Sequence, residues 1–222
     1  VSMLRYPGGS TSNHWHFDGD YPEEATEHAW LNDDWTTSFT DFVRLLDEVG
    51  GARPMLTVNY GLAHYGDVQR AAQHAADWVE YCNAPNDGSN PGGGVDWAAR
   101  RSADGFSEPL NFQYWEIGNE IYGNWEVGHE PEGSRYAENW NVIRDAMKTM
   151  DPDIHVGLIA TDESWWDKEW AASVLAHRRP DGRITGDLAD FLIVHDYFTQ
   201  DPSAEDVLPS ASQVKENTAF LD

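Results

Sequence analysis

Five times along this chain a short apolar run is followed by a longer segment whose apolar residues recur three or four apart. Val1–Tyr6, Pro54–Asn59, Phe112–Ile117, Ile154–Ala160 and Ala189–His195 read as strands. Thr36–Val49, Asp67–Cys82, Ser134–Met150, Asp167–His177 and Ala211–Leu221 read as helices. Thr37 or Ser38 can cap the first helix, on whose inner face lie Phe39, Phe42, Val43, Leu46 and Val49, and Gly50-Gly51 ends it. Asp151-Pro152 stops the third helix. Ser10–Asp34 is rich in Trp and His without a clean period and reads as a long functional loop, and Trp97–Pro109 reads as irregular. Alternation of this kind implies parallel strands with right-handed crossovers, in a doubly wound sheet or a (β/α)8 barrel.

The polar residues at the strand ends choose between the two. Arg5, Asn59, Asn119, Glu120, Asp162 or Glu163, and His195 fall at or just past the C-terminal ends of successive strands. A barrel brings those ends together over one site. An open sheet spreads them along an edge, with ligand at a single switch point. No Gly-x-Gly-x-x-Gly or Walker pattern follows any strand. The expected fold is α/β, a partial (β/α)8 TIM barrel, with residues 1–222 forming a single incomplete domain. A full barrel needs eight strands and roughly 250 residues. The chain starts within a strand and stops after a helix, so truncation at its ends is expected.

Charge narrows the partners. There are 39 Asp plus Glu against 14 Lys plus Arg, a net charge of -25. Such a surface repels nucleic acid and anionic membranes. No run approaches the roughly 20 apolar residues of a membrane span, and no basic leader with an apolar core opens the chain. The acidity fits a soluble surface in general or adaptation to high salt in particular. Cys82 is the only cysteine, so no internal disulfide is expected, and its place beside Trp78 and Val79 in a helical pattern predicts a buried, inert thiol. The 11 tryptophans suit a carbohydrate groove, because sugar rings stack their apolar faces on indoles, but a large core uses tryptophan too.

Asn111–Trp125, Asn-Phe-Gln-Tyr-Trp-Glu-Ile-Gly-Asn-Glu-Ile-Tyr-Gly-Asn-Trp, carries the chemistry. A buried strand breaks at Gly118 and presents Asn119 and Glu120 where it ends. Burial against aromatic neighbours would raise the pKa of Glu120, as a general acid working near neutrality requires. Asn119 could donate to a sugar hydroxyl. The alternative is a Glu120 that caps a turn or pairs with an arginine. His195 and Tyr197, two apart in an extended segment, face one side and could orient a carboxylate or bind sugar; a satisfied core histidine is the alternative. The other histidines show no helical His-x-x-x-His or His-Glu-x-x-His zinc spacing, and His14-x-His16 is a weak signal, so no metal site is expected. No Gly-x-Ser-x-Gly elbow is present.

Trp115-Glu116-Ile117-Gly118-Asn119-Glu120-Ile121-Tyr122-Gly123-Asn124-Trp125 closely resembles the acid/base motif of the glycoside hydrolase family 51 α-L-arabinofuranosidases, members of a large clan of retaining (β/α)8 glycosidases. The resemblance extends to Leu4-Arg5-Tyr6-Pro7-Gly8-Gly9, Thr57-Val58-Asn59-Tyr60-Gly61, Ala76-Asp77-Trp78-Val79-Glu80-Tyr81-Cys82-Asn83, Arg100 to Pro109, and His195-Asp196-Tyr197. It implies a retaining glycosidase that acts on arabinose-containing plant carbohydrate without a cofactor. Glu120 would be the acid/base and Asn119 the partner of the glycone 2-hydroxyl. Arg5, Asn59, His195 and Tyr197 would line the glycone pocket or position the nucleophile, with Ser10 and Trp125 as further substrate contacts. Ser10 stands where the family often has Cys or Asn. By the same resemblance the five strands are about strands 2 to 6. The nucleophilic Glu, at the end of strand 7, would fall outside the chain, and the 222 residues alone are expected to be inactive. Another glycosidase of the clan (a xylosidase, endoglucanase or agarase) and a non-catalytic carbohydrate-binding barrel are the alternatives.

Overall fold

The computed structural model describes residues 3–19, 37–160 and 168–195. Five strands, β1 (Met3–Tyr6), β2 (Arg53–Val58), β3 (Tyr114–Ile117), β4 (His155–Ile159) and β5 (Phe191–Ile193), form one parallel sheet in the order β1-β2-β3-β4-β5. Sequence order and spatial order coincide. A doubly wound sheet reverses its strand order at a switch point, whereas a barrel wall does not. The sheet is therefore part of a (β/α)8 barrel.

Register separates its two faces. Leu56 pairs with Trp115 and Val58 with Ile117, all four fully buried. The residues between them point the other way: Thr57 opposite Glu116, Arg5 opposite Met55, Gly157 opposite Phe191. This second face lines a cleft of about 670 Å³ walled by Arg5, Met55, Tyr114, Glu116, Phe191 and Ile193.

The helices cover the first face. Helix α1 (Phe39–Val49) starts at Ser38, whose hydroxyl accepts from the Asp41 amide, and ends on Gly50 in the left-handed conformation. It buries Phe39, Phe42, Val43 and Leu46; Val49, expected on the same face, is half exposed at the helix end. A single turn, α2 (Gly61–His64), leads into α3 (Val68–Asn83), capped by Asp67. Cys82 in α3 is fully buried, and burial pushes its thiol well above the ordinary range. The Trp97–Pro109 segment departs from expectation. It contains a helix, α4 (Trp97–Ala103), begun by the Asp96 carboxylate accepting from Ala99 N. Arg101 on α4 is fully buried and donates to the carbonyls of Tyr81, Ala84 and Phe106. A short helix bearing a buried arginine has no apolar stripe for periodicity to detect.

Helix α5 (Gly133–Met150) buries Tyr136, Trp140, Ile143 and Met147. Tyr136 Oη donates to Ile117 O at 2.9 Å and Trp140 Nε1 to Gly157 O at 2.9 Å, so each large aromatic keeps its polar atom paired. Helix α6 (Lys168–Leu175) precedes β5. Most of the described tryptophans serve this packing: Trp15, Trp78, Trp97, Trp115, Trp140 and Trp170 are buried. Two 3-10 turns, Ser10–Asn13 and Gly186–Leu188, complete the described elements. The expected Ala211–Leu221 helix, Asp162, Glu163 and Tyr197 lie outside the described residues, as does much of Ser10–Asp34.

Candidate active site

Glu120 follows β3 in a turn that no regular strand could make. Gly118 has φ 80° and Glu120 φ 44°. A Cβ on Gly118 would lie 2.7 Å from the Ile121 side chain and 2.9 Å from Tyr60 Cβ, so only glycine fits there. The turn is held by a residue far away in sequence. Asn13 Nδ2 donates to Asn119 O at 2.8 Å, and Asn119 N donates to Asn13 Oδ1 at 2.9 Å. One buried amide thus satisfies both backbone groups of Asn119.

This turn places the Glu120 carboxylate between two rings. His195 Nδ1 lies 2.9 Å from Oε1, and Trp125 Nε1 donates to Oε2 at 2.9 Å. Glu120 is 8% exposed and pairs with a histidine rather than an arginine. Trp125 is 48% exposed and is the one exposed tryptophan among the described residues. It lies over Gly123, where a Cβ would meet the indole at 2.6 Å from Cζ2.

Asn119 is oriented on three sides. Arg5 Nη2 donates to Asn119 Oδ1 at 2.9 Å, and Asn119 Nδ2 donates to Glu126 Oε1 at 2.9 Å. Arg5 is itself fixed through Nε to Glu116 Oε1, the oxygen that also accepts from Thr57 Oγ1. Glu126 gathers the loop after β1, accepting from Ser10 Oγ and Asn13 Nδ2, each at 2.8 Å. Burial raises the Glu126 carboxyl pKa, partly offset by the bonds from Ser10, Asn13 and Asn119, with the nearby Glu120 raising it further.

Arg5, Asn119, Glu120, Trp125 and His195 therefore form one continuous patch at the C-terminal ends of β1, β3 and β5, with Ser10 joined through Glu126. Asn59 directs its bonds elsewhere: Nδ2 donates to Trp15 O at 3.2 Å and Oδ1 accepts from Leu62 N at 3.4 Å. Three positioning residues were not foreseen. Glu116 carries an alternation signal, since it faces opposite to Trp115 and Ile117. Asn13 and Glu126 lie in loops and carry none.

The sequence profile of the Alpha-L-arabinofuranosidase 1 domain matches residues 1–209. The chain belongs to this family. It is 29% identical over 204 residues to the probable α-L-arabinofuranosidase C of Aspergillus fumigatus, covering 89% of this chain and 37% of that protein. It is 31% identical over 210 residues to the intracellular exo-α-(1→5)-L-arabinofuranosidase of Acetivibrio thermocellus, covering 89% of this chain and 36% of the relative. Among solved structures it superposes on the Thermotoga maritima α-L-arabinofuranosidase in its arabinose complex with TM-score 0.73 at 27% identity, covering 99% of this chain and 41% of that one. A family 51 α-L-arabinofuranosidase from Thermotoga petrophila matches equally well, with TM-score 0.73 and 27% identity over 99% of this chain and 41% of that one. The chain spans little more than a third of the length of the curated relatives it matches.

Proposed function

We propose that this chain supplies the acid/base half of a retaining α-L-arabinofuranosidase site, acting on arabinose-containing plant carbohydrate. The observation that carries the reading is the Glu120 carboxylate, set at the strand ends between His195 and the exposed Trp125 and beside the Arg5–Asn119 pair. Glu120 protonates the departing glycosidic oxygen and, in the second step, takes a proton from the attacking water. Asn119, oriented by Arg5 and Glu126, presents its amide to the glycone 2-hydroxyl. Trp125 offers an indole face to the sugar, and Tyr197, Asn59 and Ser10 complete the expected surroundings. Retention needs a second carboxyl group about 5–5.5 Å from the first. By family resemblance it is a Glu at the end of a seventh strand, beyond the β1–β5 wall, so residues 1–222 form one incomplete barrel domain that is inactive alone.

The test uses the complete protein with aryl arabinofuranosides and arabino-oligosaccharides. Glu120→Gln is expected to lower kcat on oligosaccharides by about 10²–10⁴-fold. The loss should be smaller on a dinitrophenyl glycoside, whose leaving group departs without protonation. Undiminished oligosaccharide hydrolysis by this variant would overturn the assignment. Faster turnover of aryl xylosides than of arabinofuranosides would move the substrate to another branch of the clan.

A further inference from the structure

The loop after β1 has a second set of contacts, away from Glu120. Beyond Asn13 it carries His16, buried, and Asp18, which reach His74 on the inner side of α3. The His16 and His74 rings lie 4.7 Å apart, centroid to centroid, at 67°. His74 Nε2 is 4.0 Å from Asp18 Oδ1. One ligand atom from each of the three residues falls within 4.8 Å of the other two.

His74 is out of place as a packing residue. Its side chain is 9% exposed, and neither ring nitrogen has a hydrogen-bond partner. A buried polar group left unpaired is destabilising, a penalty that leucine would avoid. Phe17 packs on the imidazole at 5.1 Å and on Trp97 at 4.9 Å, giving the cluster an apolar collar. Unpaired buried nitrogen, a second imidazole and a carboxylate under an apolar cover together present the donor set of a cation site.

We propose that His16, Asp18 and His74 bind a single zinc-class divalent cation, with water completing the coordination, and that the ion ties the β1 loop to α3. Two imidazoles and one carboxylate select zinc and its transition-metal neighbours over calcium and magnesium, which take oxygen ligands. Around a tetrahedral ion with bonds of about 2.0–2.2 Å, donor atoms stand about 3.4 Å apart. Closing from the observed spacing of up to 4.8 Å takes shifts of about 1 Å. Neither ring nitrogen of His74 is engaged in a hydrogen bond, so a lone pair is available to the ion. The role of the ion is structural. Ser10 and Asn13, earlier in the same loop, hold Glu126 and Asn119, and the ion anchors the loop again at residues 16–18.

The complete protein, stripped with chelator and dialysed, is titrated with ZnCl2, CaCl2 and MgCl2 by calorimetry and thermal melting, and with CoCl2 by visible absorption. One zinc equivalent should bind and raise Tm by several degrees, calcium and magnesium should not, and cobalt should give the bands of a low-coordinate site. Asp18→Asn, which keeps the size of the side chain, should weaken zinc binding at least about tenfold, and His74→Leu should abolish it together with the Tm response. If His74→Leu does not fold, Asp18→Asn decides. Zinc binding that both variants retain, or no zinc-dependent shift in the parent protein, overturns the proposal.

Discussion

His195 Nδ1 lies 2.9 Å from Glu120 Oε1, although 75 residues separate the two in sequence. The strand ends of β3 and β5 make this pair, and nothing local does. Replacing His195 with Gln removes the ring that fixes the carboxylate while keeping a polar side chain. In the complete protein we expect kcat to fall roughly 10- to 100-fold, less than the ~10²–10⁴ expected of Glu120→Gln. The pH–rate profile should move as well, which a merely structural histidine would not produce. An unchanged rate and profile would remove His195 from the site.

Arg5 joins two residues that lie on different levels of the barrel, through Nε to Glu116 and through Nη2 to Asn119. Lysine keeps the charge but has no planar fork and cannot span both. Arg5→Lys should therefore raise KM and cost about 1–3 kcal/mol of stability, the penalty for one buried group left without its partner. Steady-state kinetics and denaturant unfolding read the two effects separately. Wild-type values for both would mean that the fork is dispensable.

Glu126 makes stability depend on pH. Its folded-state pKa is raised by burial, so the folded state holds its proton to higher pH than the unfolded chain does. The contribution is fully present below the ordinary value of 4.5 and is lost as pH rises through the folded value. Glu126→Gln abolishes this titration. The Tm difference, wild type minus variant, should shrink as pH rises from about 4.5 and then level off. A difference that grows over that interval would show the opposite shift.

Gly118 tolerates no side chain, because its φ of 80° is strained for other residues and its Cβ direction is filled by Ile121 and Tyr60. Gly118→Ala should destabilise the protein by about 2–3 kcal/mol, combining backbone strain with overpacking, and should lower activity because Glu120 moves with the turn. Thermal melting and kinetics on one sample check both. A neutral alanine would show that the turn can relax.

These residues also show what the sequence could and could not disclose. The five strands and the long helices were legible because burial on one or both faces forces an apolar period, as in the Leu56–Trp115 and Val58–Ile117 pairs. The turn that carries Asn119 and Glu120 was legible because a glycine break after an aromatic strand is a local event. Helix α4 was hidden because its inner side carries Arg101, whose bonds to carbonyls replace apolar contacts. Tryptophan composition left core and groove open; packing puts the described tryptophans in the core except Trp125, which is exposed beside Glu120. Asn13 and Glu126 could not be read at all, since a loop asparagine is ordinary until its partner is known. The meeting of His16 and His74 could not be read from spacing, which relates residues of one element, whereas these two come from a loop and a helix.

The bond between Asn13 and Asn119 bears on the order in which this protein acquires its parts. The two residues are 106 apart in the chain, and the side chain of one supplies the backbone partners of the other. The Glu120 turn thus draws on more than its own sequence: an excised peptide spanning 111–125 contains Gly118 and Trp125 but lacks the side chain that pairs the Asn119 backbone. Non-local contacts of this kind close late, after the entropy of the intervening loop has been overcome. We therefore predict that refolding of the complete protein restores far-ultraviolet dichroism before it restores turnover, and that Asn13→Ala widens the lag; simultaneous recovery in both proteins would show that the turn forms with the sheet.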